Sequence, residues 1–171
     1  MLGFNYKIWI TESAELKVAE YMEVLNVNQC WDDIVIGYSS ADGEEFMKFY
    51  ADNTCKHPKE LYTPGKTVIS HFTPISRDLV EAYKQGKMTK EEWEKLCNDT
   101  RKVSRGITDG IIELLQGFGR EIALLSERDE WCHICGAEAS KLGKFEKKDE
   151  MFYLGDQVGY LGSAVTELVI E

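Results

Sequence analysis

The residues best suited to chemistry are Cys132, His133 and Cys135, which belong to a Cys-His-Ile-Cys run at the start of a predicted helix. A cysteine in that position favours its thiolate, the form that attacks electrophiles and binds metals. Acidic residues between Glu127 and Glu130 lie just upstream and disfavour a second negative charge, so we expect the two effects to cancel roughly. The alternative is that both cysteines are buried and structural.

The Cys-x-x-Cys spacing also fits half of a tetrahedral zinc site or a redox dithiol. A zinc site needs two more ligands, and "TCKHP" contains another Cys/His pair. The zinc alternative therefore uses Cys55, His57, Cys132 and Cys135. Otherwise we predict no metal site, and the sequence identifies no cofactor. A redox role is the weaker interpretation, because the residues around the pair do not resemble the thioredoxin motif.

If the protein is an enzyme, which the sequence leaves open, its candidate catalytic residues are Cys132, His133 and His71. Cys132 would act as the nucleophile or as an orienting group. His71 or His133 would transfer a proton, since imidazole is the side chain that titrates near neutral pH.

The candidate ligand-binding residues are Ser39, Ser40 and Asp42, in the small-residue turn "GYSSADG". A turn that leads into a helix offers backbone N–H groups and a positive dipole end to an anion. The turn lacks the Rossmann glycine spacing and the lysine of a phosphate-binding loop. The alternative is an ordinary strand-to-helix turn that Asp42 caps.

The elements that must position these residues follow from apolar periodicity, turn residues and capping patterns. Thr89 and Glu92 form a capping box at the start of the clearest helix. We predict strands at 4–11, 33–40, 66–72 and 120–127, a strand or hairpin at 146–156 and a terminal strand at 164–171. We predict helices at 12–26, 42–52, 76–83, 89–103 and 108–117, and after Cys132.

Strands that alternate with helices predict an α/β fold. We expect residues 1–171 to form a single three-layer domain with a largely parallel sheet flanked by helices. In such a sheet, ligands bind outside the carboxyl ends of the strands. The turn at 37–43, His71 and the Cys132–His133 pair should then converge on one cleft, and the stretch at 120–127 should be a central strand.

Three segments, within roughly residues 34 to 143, resemble the domain of unknown function 488 family. They are "VIGYSSADGEEFMKFY", "SRDLVEAYKQGKMTKEEWEKL" and "REIALLSERDEWCHICGAEASKL". The resemblance implies an α/β sandwich, an intracellular setting and no established reaction. The chain departs from the family at Ile134, where Arg usually follows the Cys-His pair. It departs again near His71 and Phe72, where an Arg often follows the middle strand.

Composition narrows the classes of partner. Thirty acidic residues against twenty basic ones give a net charge of −10, which repels DNA, RNA and anionic membranes. No stretch approaches the roughly 18 apolar residues of a membrane span. Five cysteines and an N-terminus interrupted by Asn5 and Lys7 predict a reduced cytoplasmic protein rather than a secreted one.

Two hypotheses remain. The first is a protein that binds a small anionic, nucleotide-like ligand in a cleft lined by Ser39, Ser40, His71, Cys132 and His133. The second is a non-catalytic acidic protein that inhibits or regulates a basic or nucleic-acid-binding protein partner, which the missing family-type Arg favours slightly. Acidic residues gathered on one face without a cleft would favour the second.

Overall fold

The computed structural model describes residues 4–27, 29–51, 56–148, 151–155, 157–160 and 165–170. These ranges contain six helices and seven strands. The helices are α1 (Phe4–Leu25), α2 (Glu44–Ala51), α3 (Pro58–Leu61), α4 (Arg77–Lys84), α5 (Lys90–Gly117) and α6 (His133–Ala139). The strands are β1 (Val35–Ser40), β2 (Thr67–Phe72), β3 (Ile122–Leu124), β4 (Phe145–Lys148), β5 (Met151–Leu154), β6 (Gln157–Tyr160) and β7 (Val165–Ile170).

The central sheet has four strands in the order β1-β2-β7-β3, and every neighbouring pair is antiparallel. A second sheet, β4-β5-β6, is also antiparallel. The predicted largely parallel sheet is therefore wrong, although the fold does mix helix and sheet. Two helices, not one, separate β1 from β2 and β2 from β3. Parallel neighbouring strands need a crossover connection, but helices between two strands do not by themselves require those strands to be parallel.

Helices cover both faces of the central sheet. All six residues of β2 are buried, as expected for a strand with helices on each side. Ile69 packs in a cluster with the residues of α1 and α5, whereas Val68 packs in a cluster that includes Ala139 of α6. Because side chains alternate along a strand, α5 and α6 lie against opposite faces of the sheet.

Helix α1 replaces the strand predicted at 4–11. Its buried residues Ile10, Ala14 and Val18 recur every fourth position and pack with Val103 and Ile107 of α5. That spacing is helical, and the first ten residues of α1 contain no Gly or Pro to stop it. The local β preference of the aromatic and β-branched residues is overridden by this packing.

Helix α5 begins as predicted and extends further. The capping box is confirmed, since Thr89 N–H donates to Glu92 Oε2 at 2.7 Å and Glu92 N–H donates to Thr89 Oγ1 at 3.2 Å. The helix then continues through Gly106, where we expected a break. A Cβ at Gly106 would overlap the ring of Tyr21, so the glycine permits α1 to pack closely on α5.

The chain order did not reveal which strands are central. The stretch at 120–127 contains β3, a three-residue edge strand, whereas β7 from the C-terminal part lies between β2 and β3. The predicted hairpin near 146–156 is present as β4 and β5. Ile75 N–H donates to Val158 O at 2.7 Å, which attaches the second sheet to the segment after β2.

The two longest helices, α1 and α5, contain charged residues throughout their length. Within the described ranges, no helix combines the length and the apolar character that crossing a bilayer requires.

Candidate functional site

His71 lies on the α5 face of β2 and is completely buried. Its Nε2 is 2.9 Å from Thr108 Oγ1, and that hydroxyl donates to Ser104 O at 3.1 Å. Because the Thr108 hydroxyl proton is already used in that bond, His71 Nε2 carries the imidazole proton and donates a hydrogen bond to Thr108 Oγ1. Burial lowers the pKa of His71 to about 4, which keeps the ring neutral at physiological pH. His71 is a buried structural residue in this geometry, with Nδ1 lacking a hydrogen-bond partner among the described residues.

The opposite face of β2 contains a chain of serine hydroxyls. Ser70 Oγ is 2.8 Å from Ser140 Oγ, and Ser140 Oγ is 3.3 Å from Ser39 Oγ. Ser70 and Ser140 are buried, and Ser140 directly follows α6. A Cβ at Gly37 would overlap the carbonyl oxygen of Ser140, so the glycine lets the end of α6 lie directly on β1. These hydrogen-bonded hydroxyls connect the sheet interior to the half-buried Ser39.

The turn after α6 fixes the position of Lys141. Lys141 N–H donates to Glu138 O at 3.0 Å and Leu142 N–H donates to Ala137 O at 3.1 Å, the bond pattern of a Schellman motif. Lys141 occupies the left-handed position of that motif, with φ of 61°. Glycine is the usual residue there, because a side chain costs roughly 1 kcal/mol in this conformation.

A cavity of about 340 Å³ opens beside the carboxyl end of β1. We call it the lysine cavity. It is lined by Lys7, Tyr38, Ser39, Ser40, Lys66, Thr67 and Lys141. Helix α1, strand β1, the residue before β2 and the turn after α6 each contribute one part of it. Its three lysines were not predicted from the sequence, because they come from segments far apart in the chain and share no spacing pattern.

The lysine cavity concentrates positive charge in an acidic protein. Seven lysines elsewhere pair with carboxylates: Lys17, Lys59, Lys84, Lys90, Lys95, Lys102 and Lys148. Lys7, Lys66 and Lys141 have no carboxylate within ion-pair distance in the described part of the chain. Lys7 Nζ instead lies 4.7 Å from the centroid of the Tyr38 ring.

Tyr38 also lines the cavity, and its hydroxyl is buried without a hydrogen-bond partner in the ranges described. Burial raises its pKa to about 12, so the phenol stays protonated and remains a donor. A donor left unsatisfied in this way costs about 1–3 kcal/mol.

Ser40 lines the lysine cavity, whereas Asp42 does not. Ser40 Oγ accepts a hydrogen bond from Asp42 N–H at 3.3 Å, so its own proton is available to another acceptor. The Asp42 carboxylate lies 3.4 Å from Lys59 Nζ. Helix α2 begins at Glu44, so Gly43 and not Asp42 is the residue directly before it.

Cys132 is the residue directly before α6, and its Sγ accepts a hydrogen bond from Cys135 N–H at 3.4 Å. The pKa of Cys132 is lowered to about 6, first by a hydrogen bond from the Cys135 side chain and then by the backbone N–H groups of Cys135 and Ile134. His133 lowers it slightly further, while burial opposes the shift. The expectation that upstream carboxylates cancel this effect is not met.

The predicted single cleft is divided among three places. Cys132 and Ser140 flank α6 at opposite ends, roughly 12 Å apart at 1.5 Å per residue. Ser39 and Ser40 lie near the Ser140 end, whereas His133 lies at the Cys132 end. His71 is on the other face of the sheet, against α5. The structure therefore keeps Ser39 and Ser40 together and separates both from the three candidate catalytic residues.

The zinc alternative is partly outside the described residues, because Cys55 is not among them. His57 Nδ1 accepts Lys59 N–H at 3.2 Å, and Lys56 N–H donates to Glu130 O at 3.0 Å. The segment with His57 thus runs beside the residues that precede Cys132. No group of three or more metal-ligating side chains occurs within the described ranges. Zinc stays a prediction.

A second cavity, of about 240 Å³, is mostly apolar. It lies between Trp31 and the first half of α5. Its one lysine, Lys95, pairs with Asp99 at 2.8 Å, so that positive charge is already compensated. The lysine cavity is therefore the stronger candidate for an anion.

No protein-family model and no curated protein matches the chain. The chain is similar to a solved structure described as the crystal structure of selenomethionine-labeled epoxyqueuosine reductase, with a TM-score of 0.47 and 14% identity. The match covers 94% of this chain and 46% of that one. A TM-score this low does not show a shared fold. The resemblance to the domain of unknown function 488 family stays a prediction.

Proposed function

We propose that the protein binds a small anionic ligand with a phosphate group, such as a nucleotide, in the lysine cavity. One observation carries this proposal: Lys7, Lys66 and Lys141 surround one cavity without carboxylate partners among the described residues. In a chain with a net charge of −10, a group of ammonium ions without carboxylate partners favours the binding of an anion from solution.

The hydroxyl groups at the cavity complement those charges. If Ser70 donates to Ser140 and Ser140 donates to Ser39, the hydroxyl proton of Ser39 is directed to a ligand oxygen. Hydrogen bonds in such a chain polarise one another, which strengthens the final donor. Ser40 supplies a second donor, since its oxygen already accepts from Asp42 N–H.

The size of the cavity agrees with a small ligand. At about 340 Å³ it lies at the lower end of the roughly 300–1,000 Å³ range of small-molecule sites. Each ammonium–phosphate contact at about 4 Å contributes about 1 kcal/mol in water and about 4 kcal/mol near a protein surface. Three such contacts support binding of a compact, multiply charged anion.

The alternative is the non-catalytic acidic protein that docks on a basic partner. Such a protein would not depend on Lys7, Lys66 or Lys141 for its interaction. We also propose a cytoplasmic setting, which the odd number of cysteines supports.

The test is calorimetric titration of the protein with inorganic phosphate, pyrophosphate and AMP at low ionic strength. Lys66→Gln removes one charge and leaves the backbone bonds of residue 66 in place, so affinity should fall about fivefold to tenfold. Added salt should weaken binding to the unmodified protein, because the cavity is open to solvent.

Lys87→Gln is the matched control, because Lys87 is also exposed but lies in the turn between α4 and α5. Its affinity should equal that of the unmodified protein. If none of the three anions binds, or if both variants weaken binding equally, the proposal is wrong. The second outcome would indicate a response to net charge alone.

If catalysis occurs at this cavity, Cys132 is too far away to take part directly. We expect Cys132→Ser to leave phosphate and AMP affinity unchanged, because Cys132 lies at the other end of α6. Weaker binding in that variant would instead return Cys132 to the ligand site.

A further inference from the structure

Strand β1 forms one edge of the central sheet in the described part of the chain. Ala41 N–H donates to Lys66 O at 2.9 Å, and Ser40 is paired with Thr67. Bonded and non-bonded pairs alternate along an antiparallel ladder, so Ser40 and Thr67 form a non-bonded pair. Every second residue of β1, starting at Ile36, therefore points its N–H and C=O groups away from β2.

Most of these outward backbone groups are without a partner. Ser40 O accepts a hydrogen bond from Gly43 N–H at 2.9 Å. Within the described ranges, no hydrogen bond reaches the N–H or C=O of Ile36 or Tyr38, or the N–H of Ser40. A row of unpaired backbone groups on an edge strand is a template for pairing with another extended chain.

The two edges of the central sheet differ in their protection against such pairing. Strand β3, on the opposite edge, has three residues and directly follows the charged Arg120 and Glu121. Strand β1 has six residues, contains no charged residue or proline, and pairs with β2 residue for residue without a bulge. Edge strands are normally shortened, charged or bulged to prevent pairing, so the edge at β1 is open to another strand.

The two ends of β1 have opposite charge. The lysine cavity lies at the Ser40 end, and the exposed Asp33 lies two residues before the first residue of β1. An extended chain covers about 24 Å from Asp33 to Ser40, at about 3.4 Å per residue. A strand with a phosphate at one end and a cation at the other is complementary to both ends.

We propose that β1 accepts an extended peptide bearing a phosphoserine as a fifth strand of the central sheet, with the phosphate in the lysine cavity. This inference rests on the proposed function, because the same cavity binds the phosphate, and it names a polypeptide as the carrier of that phosphate. The added strand runs antiparallel to β1, since antiparallel pairing is slightly more stable per residue. A second copy of the chain is a poor added strand, because two copies with a net charge of −10 repel each other.

The register of the added strand follows from the position of the cavity. Residues directly opposite each other in an antiparallel pair have their side chains on the same face. A phosphoserine opposite Ser40 therefore reaches the lysine cavity, which Ser40 lines. The third and fifth residues of the peptide then exchange backbone hydrogen bonds with Tyr38 and Ile36, and the eighth lies opposite Asp33.

The experiment uses the full protein and an eight-residue peptide with acetylated and amidated ends. The peptide begins with phosphoserine, continues with alternating valine and threonine, and ends with lysine. Calorimetric titration at pH 7 compares it with inorganic phosphate and with the same peptide lacking the phosphate. The phosphopeptide should bind at least about thirtyfold more tightly than either, because backbone bonds along β1 add to the phosphate contacts.

N-methylation of the peptide provides a matched pair of probes. The N–H groups of its third and fifth residues face β1, whereas those of its second and fourth residues face solvent. Methylation at the third and fifth residues should weaken binding at least about tenfold, because each methyl group removes a backbone hydrogen bond. Methylation at the second and fourth residues should change affinity less than about twofold. Both probes leave the protein unaltered, so the folding of a variant does not affect the result.

The outcomes separate this inference from the proposed function. Equal binding of the two methylated peptides, or a phosphopeptide that binds no more tightly than inorganic phosphate, would overturn the inference and leave phosphate binding intact. Equal binding with and without the phosphate would also overturn it, because β1 would then bind peptides without the lysines. If neither inorganic phosphate nor the phosphopeptide binds, both proposals are wrong. Sedimentation as a dimer that the phosphopeptide does not dissociate would overturn the inference, since a second copy would then occupy β1.

Discussion

The two faces of the central sheet differ in how helices pack on β1 and β2. The α5 face packs large apolar side chains, and its one imidazole is buried and neutral. The α6 face also buries large apolar residues, such as Val68 and Phe72, but beside them lie Gly37, Ser39, Ser70 and Ser140, whose small side chains let backbone and hydroxyl groups approach closely.

This difference separates stability from binding. Large apolar residues between α1, α5 and the sheet contribute hydrophobic stabilisation, but they leave little room for a ligand. Small polar residues contribute less burial, yet they hold α6 against β1 and place Lys141 beside Ser39 and Ser40. Substitutions in the apolar cluster between α1, α5 and the sheet should therefore alter folding, whereas those at the lysine cavity should alter ligand binding.

The largest expected change in the free energy of unfolding comes from a substitution on the α5 face. Ile107→Ala removes a completely buried side chain and should lower the free energy of unfolding by about 4 kcal/mol, within the roughly 2–5 kcal/mol range of such truncations. Leu16→Ala, at a position 60% exposed on α1, should change it by less than about 0.5 kcal/mol. Urea titration measures both. Equal losses would contradict the assignment of stability to this face.

The pH dependence of stability tests the same face. Because the pKa of His71 is about 4 in the folded protein and near 6.5 when unfolded, the unfolded state binds the proton first. The stabilisation is complete above pH 6.5 and is lost as pH falls to about 4, a total of about 3 kcal/mol.

His71→Gln isolates this contribution, since its amide can still donate to Thr108. Urea titrations between pH 7 and pH 5 should show a steeper loss for the unmodified protein than for the variant. Parallel curves would mean that His71 is protonated without opening the core.

On the α6 face, Gly37→Ala should have an intermediate effect. The added methyl group would overlap the carbonyl oxygen of Ser140, which is backbone and cannot rotate away. We expect a loss of about 2 kcal/mol in unfolding free energy, and weaker phosphate binding because Lys141 follows Ser140. Gly117→Ala is the control, because a Cβ there meets no atom within 4 Å. Unfolding and titration data that match those of the control would show that β1 and α6 are not tightly packed.

The type of some of the helices and strands on these two faces could be predicted from the sequence. The capping box at Thr89 and Glu92 depends on residues three apart, and the strand at 66–72 is a continuous apolar and β-branched run. Such local patterns indicate the type of an element. They could not give strand direction. They also could not show that residues 4–11 form a helix, because packing between α1 and α5 determines both the formation and the burial of that helix.

The candidate site was predictable only in part for the same reason. Ser39 and Ser40 stood out because they lie in a small-residue turn after a strand. Lys7, Lys66 and Lys141 meet them only after β1, α1 and α6 have packed together. His71 and Cys132 looked like partners in a parallel sheet, but side-chain alternation in β2 places His71 on the opposite face.

The smallest expected change in stability is also the sharpest test of the binding face. Lys141 occupies a left-handed position where glycine is the usual residue, so Lys141→Gly should raise the unfolding free energy by roughly 1 kcal/mol. It also removes an ammonium group from the lysine cavity, so phosphate affinity should fall about fivefold to tenfold. Lys141→Ala removes the same charge but keeps the backbone penalty, so it should lose affinity without gaining stability. If Lys141 only compensates the negative end of α6, both variants should be less stable and both should bind phosphate as before.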